Sequence, residues 1–283
     1  MLEKLITKNE QSPRSGIHCS DFGKFSLDLF FRMTGVPATN PPQWYDKLKW
    51  GAGLGVEKEM LQVLKDSGIV PPEYEQDTHG VITKVIDDVE ISGHMDGNTS
   101  LDKTGIPIEI KSINNANKWD IKKYEQNKPR DNYVGQLSMY MYLTNSDLGH
   151  LFVASVDGLN RFYYECKKIG DGKYKCGDVE VDVKTEIDRL IKLYKENVLL
   201  NKMPDIFEKR YKYPVAEIDW SKIPADKISK ARNNKAVIGD WEIQYSPWKD
   251  LIVELQGETI GYTPEELEII KNKTSGYSTW GKK

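Results

Sequence analysis

The chain has 283 residues, of which 39% are hydrophobic and 29% are charged, and its formal net charge at pH 7 is −3. This composition is typical of an ordinary folded protein, and it argues against a disordered or membrane-embedded chain. The net charge provides no overall attraction to nucleic acid, so any such binding must come from a local basic patch.

The three cysteines, Cys19, Cys166 and Cys176, are too few and too scattered for a disulfide framework or a four-cysteine metal site. This predicts a reducing compartment. Residues 1–16 lack the apolar core of a signal peptide, and no run approaches the roughly 20 apolar residues of a membrane span. We therefore predict a cytoplasmic protein with no membrane partner.

Two helices are predicted near the N-terminus. The first has apolar residues at helical spacing, with Ser20 as its N-cap and Gly35 as its stop. A Pro-rich loop over 36–48 follows, and a second helix is predicted from Trp50 to Gly68. Its predicted apolar face consists of Leu54, Leu61 and Leu64, and Glu57 falls on the same face.

Residues 80–88, 89–98 and 105–113 alternate between apolar and polar side chains, which predicts three strands of a meander. A polar loop is predicted over 114–131, followed by a helix with Val134, Leu137 and Met141 on one stripe. A hairpin and a helix over 183–201 complete this part. The order of elements predicts an α/β fold with a central mixed sheet flanked by helices. We expect one domain of residues 1–283, with a core of about 20–201 and an extension, 203–283, that packs back on the first helix.

Three charged residues stand out in the predicted meander: Asp96, Glu109 and Lys111. Residues two apart in a strand share a face, so Glu109 and Lys111 point the same way, and antiparallel pairing of 91–98 with 106–112 would bring Asp96 near them. Two neighbouring carboxylates repel each other unless a cation joins them. Oxygen ligands with open positions suit Mg²⁺ or Mn²⁺, which would polarise a phosphodiester and activate a water.

Lys111 would orient or deprotonate that water, or would offset the charge that develops in the transition state. Glu57 could complete the set of ligands, because a carboxylate on an apolar helix face is costly to bury without a partner. Each residue taken alone also fits an ordinary role, as a turn aspartate, an edge-strand pair or a helix-flank carboxylate. His94 is interpreted as a residue of the strand face.

The spacing of Asp96 and the Glu109-Ile110-Lys111 triplet resembles the signature of the PD-(D/E)XK nuclease superfamily. The segment 136–140, with Gln136 and Tyr140 four apart, is similar to the Q-x-x-x-Y motif of the RecB-like branch. The segment 53–60 resembles that branch's G-x-x-x-H/E helix, with Glu57 at the acidic position and Glu59 in the alternative register. The resemblance covers about residues 20–201 and implies a restriction-endonuclease-like core.

The resemblance implies that Glu57, Asp96, Glu109 and the Ile110 carbonyl bind the metal and that Lys111 is catalytic. It also implies that Gln136 and Tyr140 steady the site or contact the DNA backbone. A basic segment beside the site would bind DNA, with Trp119 either stacked on a base or simply packed in the fold. The residues of this segment assigned to DNA binding are Lys118, Trp119, Lys122, Lys123, Lys128 and Arg130.

Some RecB-like nucleases, including AddB-type and CRISPR-associated ones, hold an iron-sulfur cluster between an early cysteine and three late cysteines. Segments 18–31 and 241–254 are similar to those regions, but the ligand positions carry Phe25, Ile243, Ser246 and Ile252. These side chains cannot ligate iron, so we expect no cluster and apolar packing in its place. Cys19 is not at the ligand position.

These patterns predict a Mg²⁺- or Mn²⁺-dependent deoxyribonuclease, an exonuclease in DNA recombination, repair or phage DNA processing. A structure-specific or restriction-like endonuclease is the alternative enzyme, and an inactive DNA-binding protein is the alternative from another class. The sequence has no G-x-x-x-x-G-K-[ST] motif, so unwinding would need a helicase partner; an annealing protein is another possible partner. Bacterial or phage-infected cytoplasm is the expected location.

Overall fold

A computed structural model describes residues 16–114 and 118–276, and it describes Trp119 by its backbone only. The chain divides into two compact units. Among the described residues, the first contains 16–24 together with Gln43–Lys202, and the second combines Phe25–Pro42 with 203–276. The predicted core of about 20–201 therefore corresponds largely to the first unit, except for residues 25–42.

A small three-stranded sheet opens the first unit. Its strands are β1 (Ile17–His18), β2 (Val81–Ile86) and β3 (Val89–His94), in the order β1-β3-β2. The β2–β3 pair is an antiparallel hairpin, and β1 runs parallel to β3. This sheet ends at His94, two residues before Asp96.

The larger sheet of the first unit has six strands in sequence order. They are β4 (Gly97–Asn98), β5 (Pro107–Ile113), β6 (Leu148–Ser155), β7 (Arg161–Gly170), β8 (Lys173–Cys176) and β9 (Val179–Asp182). The β5–β6 pair is parallel and the other neighbours are antiparallel, so the predicted mixed sheet is confirmed.

The described residues also form helices, so the predicted α/β class is confirmed. In chain order they are α1 (Ser26–Thr34), α2 (Trp44–Asp66), α3 (Gln76–His79), α4 (Lys118–Glu125), α5 (Asp131–Thr144), α6 (Val183–Leu193), α7 (Ala225–Arg232), α8 (Trp241–Gln244), α9 (Lys249–Leu255) and α10 (Pro264–Lys273). No helix in the described stretches is long and apolar enough to cross a bilayer.

One apolar cluster fixes the strand that carries the candidate site. Ile108 and Ile110 of β5 are buried with Leu64 of α2 and with Val70 and Tyr74 of the connection that follows. The α5 stripe of Val134, Leu137 and Met141 is fully buried, as its spacing predicts. Residues 107–110 of β5 are all buried, and because successive side chains alternate between faces, this part of the strand is covered on both sides.

The second unit has its own core, in which Val215, Trp220, Ile228, Tyr262 and Ile270 are buried together. Separately, the α1 segment is bonded to the C-terminal part of the chain. Ser246 donates to Asp28 at 2.6 Å, and the Trp248 indole donates to the Val36 carbonyl at 2.9 Å.

The start of the first helix differs from its prediction. Ser20 lies in a 3₁₀ turn, and the helix begins at Ser26 after Phe25, whereas Gly35 ends it in the left-handed conformation, as predicted. The second helix begins earlier than expected, at Trp44, and Leu54 is 64% exposed. The apolar face therefore extends over Leu61 and Leu64, but not over Leu54.

Two other elements also differ from their predictions. The predicted loop over 114–131 contains α4, because Tyr124 is buried and Asp120 pairs with Arg130. The predicted helix over 183–201 is α-helical only to Leu193 and continues as a π-helical turn, Tyr194–Val198.

The prediction from the cysteines is wrong for one pair. Cys166 and Cys176 are directly opposite each other on β7 and β8, and they form a disulfide. Spacing along the sequence misses this pair because an antiparallel turn brings residues ten apart face to face. Cys19 is a free, buried thiol. The disulfide removes the support that the cysteines gave to a reducing compartment.

Candidate active site

Strand β5 supplies Glu109 and Lys111, which share one face as predicted. The Glu109 side chain is completely buried, and the Lys111 ammonium forms an ion pair with its Oε1. The strand fixes both side chains because Ile108 and Ile110 anchor its other face in the apolar cluster.

Asp96 reaches this pair by a different route from the predicted one. Pairing with β5 is limited to Gly97 and Asn98, because the preceding residues belong to the other sheet. Asp96 lies where the chain crosses from β3 to β4, and its Oδ2 accepts a hydrogen bond from the Ile110 amide at 2.7 Å. The N–H and C=O of one residue in a strand point to the same edge, so the Ile110 carbonyl is directed towards the edge where Asp96 lies.

Glu57 of α2 joins the cluster through a residue that sequence reasoning missed. The Gln76 side-chain nitrogen donates to Glu57 Oε1 at 2.9 Å and to Asp96 Oδ1 at 3.0 Å. Glu59, the alternative register, is exposed. In the sequence, Gln76 is a polar residue four positions before Gly80, and nothing in this pattern indicates a contact with Glu57 or Asp96.

Burial and mutual repulsion perturb the acidic groups of this cluster. Burial, together with the charges of Glu109 and Glu57, raises the pKa of Asp96 well above its usual value. Burial also raises the pKa of Glu109, and the nearby Lys111 opposes this effect. Burial alone would lower the pKa of Lys111, but the charges of Glu109 and Asp96 outweigh it and raise this pKa.

The two oxygens of Glu109 are buried, and neither accepts a hydrogen bond of good geometry within the described part of the chain. The interaction of Lys111 with Glu109 Oε1 is an ion pair. The Tyr140 hydroxyl is near enough to lower the pKa of Glu109, but it donates its proton to the His94 carbonyl at 2.6 Å. A buried carboxylate with so few hydrogen-bond donors around it has the oxygen ligands that a hard cation requires.

The described residues contain no group of three or more His, Cys, Asp or Glu side chains already arranged to hold a metal ion. The donor set nevertheless suits Mg²⁺ or Mn²⁺, because Glu57, Asp96 and Glu109 supply carboxylate oxygens from separate elements that lie close together. The residues therefore fit such an ion, with Gln76 and Lys111 at present bonded to the carboxylates that would bind it.

Gln136 and Tyr140 lie on one side of α5, as their spacing predicts. Gln136 donates to the Tyr140 hydroxyl at 2.7 Å, and this hydroxyl in turn bonds the carbonyl of His94, two residues before Asp96. Gly93 permits this approach, because a Cβ there would lie 2.7 Å from the Tyr140 ring. The pair thus braces the end of β3. The His94 side chain is exposed and stacks on His18.

The basic segment occupies α4 and the turn after it. Lys118, Lys122, Lys123 and Lys128 are exposed. Arg130 pairs with Asp120 and lies 5.4 Å from the ring of Tyr133, while Lys111 lies 5.8 Å from the same ring. Tyr133 therefore connects the basic segment to the site. The side chain of Trp119 lies outside the described residues.

The four positions that match cluster ligands lie in the second unit. Phe25, Ile243, Ser246 and Ile252 are all buried there. The Ser246 hydroxyl is bonded to Asp28, and its backbone amide donates to the Ile243 carbonyl at 3.2 Å. Cys19 lies in the first unit, where burial raises the pKa of its thiol.

Comparison with known proteins identifies no family. No family model matches the chain, and no curated protein sequence matches it. Among solved structures, one titled "Crystal structure of SSO0001" is similar, with a TM-score of 0.40 and 16% identity, over 79% of this chain and 91% of that one. A likeness at this level carries no argument about function.

Proposed function

We propose that this protein is a Mg²⁺- or Mn²⁺-dependent deoxyribonuclease with a restriction-endonuclease-like core, and that it acts as an exonuclease. The observation that supports this proposal is the meeting of Glu57, Asp96 and Glu109 beside Lys111, with the Glu109 carboxylate fully buried and its charge opposed by Lys111. Burying these charged groups side by side costs folding free energy, and such clusters of perturbed ionisable groups are typical of catalytic sites.

Each residue has a chemical role in this proposal. Glu57, Asp96, Glu109 and the Ile110 carbonyl would hold the cation, which would supply Lewis-acid stabilisation of a phosphodiester and a lowered pKa for water. Lys111, already held against Glu109, would donate to the attacking water or to a phosphate oxygen.

The remaining residues would orient the site and the DNA. Gln136 and Tyr140 would keep the β3 end, and with it Asp96, in place through the His94 carbonyl. The exposed lysines of α4 and its turn would bind phosphates, and Arg130 would extend this surface towards Lys111, because both side chains lie near the ring of Tyr133. Trp119 is proposed to stack on an unpaired base or to pack within the fold.

The biological setting is part of the proposal. We place the enzyme in the cytoplasm of a bacterial or phage-infected cell, in DNA recombination, repair or phage DNA processing. A helicase, an annealing protein or another recombination factor would be its partner. The alternatives are a structure-specific or restriction-like endonuclease and an inactive DNA-binding protein.

Hydrolysis of end-labelled linear DNA with Mg²⁺ or Mn²⁺ tests the proposal. Asp96→Ala and Lys111→Ala should each lower the rate by about 100-fold or more while DNA binding is retained. Glu59→Ala, an exposed position on the same helix as Glu57, should cleave like the native protein. Equal activity in all variants would refute the site assignment.

Two further results separate the alternatives. Native protein that is inert with both metals would favour the DNA-binding alternative. Cleavage of covalently closed circular DNA, which has no ends, would favour an endonuclease.

A further inference from the structure

We propose that Gln76 is a positioning residue of the metal site, which fixes the Glu57 carboxylate beside Asp96. This inference rests on the proposed function, since it concerns the same ligands. Its basis is geometric: one side-chain nitrogen donates to carboxylate oxygens from two separate elements, at 2.9 Å and 3.0 Å.

Glu57 needs such a tether more than Asp96 does. Asp96 is also anchored by the Ile110 amide, which donates to its other oxygen. Glu57 lies on α2 and is only half-buried, and among the described residues Gln76 is its one hydrogen-bond donor. Without Gln76, repulsion from Asp96 would favour rotamers that turn the Glu57 carboxylate towards water.

The backbone around Gln76 is itself attached to the segment that carries Asp96. The Gln76 carbonyl accepts from the Gly80 amide, and the Gly80 carbonyl accepts from the amide of Met95, the residue before Asp96. Gly80 fits this junction because a Cβ would lie 2.5 Å from the carbonyls of both Gln76 and Met95. The Tyr74 hydroxyl donates to the Met95 carbonyl at 3.1 Å. Hydrogen bonds therefore hold the short helix that carries Gln76 against the segment that carries Asp96, and the Gln76 side chain extends from there to Glu57 on α2.

A neutral amide suits this role. It donates a hydrogen bond to each carboxylate without adding a positive charge that would compete with a cation. Residues that orient metal ligands in this way commonly contribute 10- to 100-fold to metal affinity. Gln76 would thus prepare Glu57 as a ligand and would touch neither the substrate nor the reacting atoms.

Calorimetric titration of the whole protein with Mn²⁺, in the absence of DNA, tests this role. Gln76→Met keeps the length of the side chain and removes the donor, and it should raise the Kd for Mn²⁺ about tenfold or more. Gln62→Met is the matched control: Gln62 also donates to a carboxylate, Asp66, but on the exposed side of α2. It should leave the Kd unchanged.

A double-mutant cycle shows whether Gln76 acts through Glu57. Adding Gln76→Met to Glu57→Ala should change the Kd little, because the ligand that Gln76 positions is already gone. An equal loss with and without Glu57 would overturn the proposal, as would an unchanged Kd in Gln76→Met. Gln76→Asn, which keeps the amide on a shorter arm, provides a second variant, and it should also weaken binding.

The outcomes also separate this inference from the proposed function. Native protein that binds no Mn²⁺ would overturn both. If the native protein binds Mn²⁺ and Gln76→Met binds it with the same Kd, the role of Gln76 is refuted but the metal site is not.

Discussion

Strand β5 holds the ionisable side chain of Glu109 in the protein interior, where a charged carboxylate is poorly solvated. The carboxylate of Glu109 is completely buried, its oxygens accept no hydrogen bond of good geometry from the described residues, and Lys111 forms an ion pair with it. Burial raises its pKa because the ionised form loses hydration. Such a group is a poor contributor to stability and a strong candidate ligand.

Sequence analysis could find Glu109 and Lys111 because strand geometry alone places residues two apart on one face. It could not find Gln76, because that contact depends on how a short helix, α3, meets α2 and the β3–β4 crossing. Tyr133 was missed for a similar reason, because its role depends on contacts of its ring with Lys111 and Arg130 that only the folded structure shows.

The first prediction concerns metal-induced stability. Saturating Mn²⁺ should raise the unfolding temperature of the native protein, because an ion that binds only the folded chain stabilises it. At one hundred times the Kd, the gain is about 2.7 kcal/mol, or roughly 5–10 °C. Glu109→Gln should lose most of this rise in a thermal scan.

Glu59→Gln, on the exposed side of α2, is the control and should keep the full rise. If Glu109→Gln retained the native shift, Glu109 would not be a ligand. The comparison needs no DNA and no catalysis, so it reports on the ion alone.

At the scale of elements, two helical glycines differ in what surrounds them. A Cβ at Gly51 in α2 would meet nothing within 4 Å, whereas a Cβ at Gly135 in α5 would collide with the ring of Phe22. Glycine lowers helix stability in both places, because its backbone loses more freedom on folding. Only at Gly135 does packing require it.

The second prediction follows from this contrast. Gly51→Ala should increase the free energy of unfolding by about 0.5–1 kcal/mol, since alanine favours the helix at no steric cost. Gly135→Ala should decrease it by about 1–3 kcal/mol, because the Phe22 ring must move. Denaturant unfolding measures both, and a loss of stability in Gly51→Ala would contradict the open surroundings of that residue.

Elements with strong periodicity were predictable, and those that depend on distant partners were not. The α5 stripe and the β6–β7 hairpin follow from local spacing. The end of β3 at His94 does not, because the next two residues lead into another sheet, and alternation alone reads them as one continuous strand. Helix α4 is short and rich in lysine, so its apolar signal is weak, and it depends on the buried Tyr124.

At the scale of the whole molecule, residues that are far apart in the sequence belong to the same compact unit. Residues 25–42 lie early in the sequence but belong to the same unit as residues 203–276. Hydrogen bonds such as that between Ser246 and Asp28 join positions more than 200 residues apart, and no local pattern encodes them. Only the resemblance of segments 18–31 and 241–254 to one nuclease branch suggested that these ends meet.

The third prediction uses this division into units. All the candidate ligands lie in the first unit, whereas the fully buried Ile252 lies in the second. Ile252→Ala should lower the free energy of unfolding by about 2–5 kcal/mol through the cavity it leaves. At a temperature where the variant is still folded, its Kd for Mn²⁺ should equal that of the native protein.

Ile110→Ala is the matched comparison. Ile110 is as deeply buried as Ile252, but it lies on β5 and packs in the apolar cluster that holds this strand. This variant should lose a similar amount of stability and should also bind Mn²⁺ more weakly, since β5 carries Glu109 and the amide that anchors Asp96. A tenfold loss of Mn²⁺ affinity in Ile252→Ala would mean that the second unit helps to shape the metal site. Equal affinities in the native protein and Ile110→Ala would instead mean that the packing beneath β5 does not set the positions of the ligands.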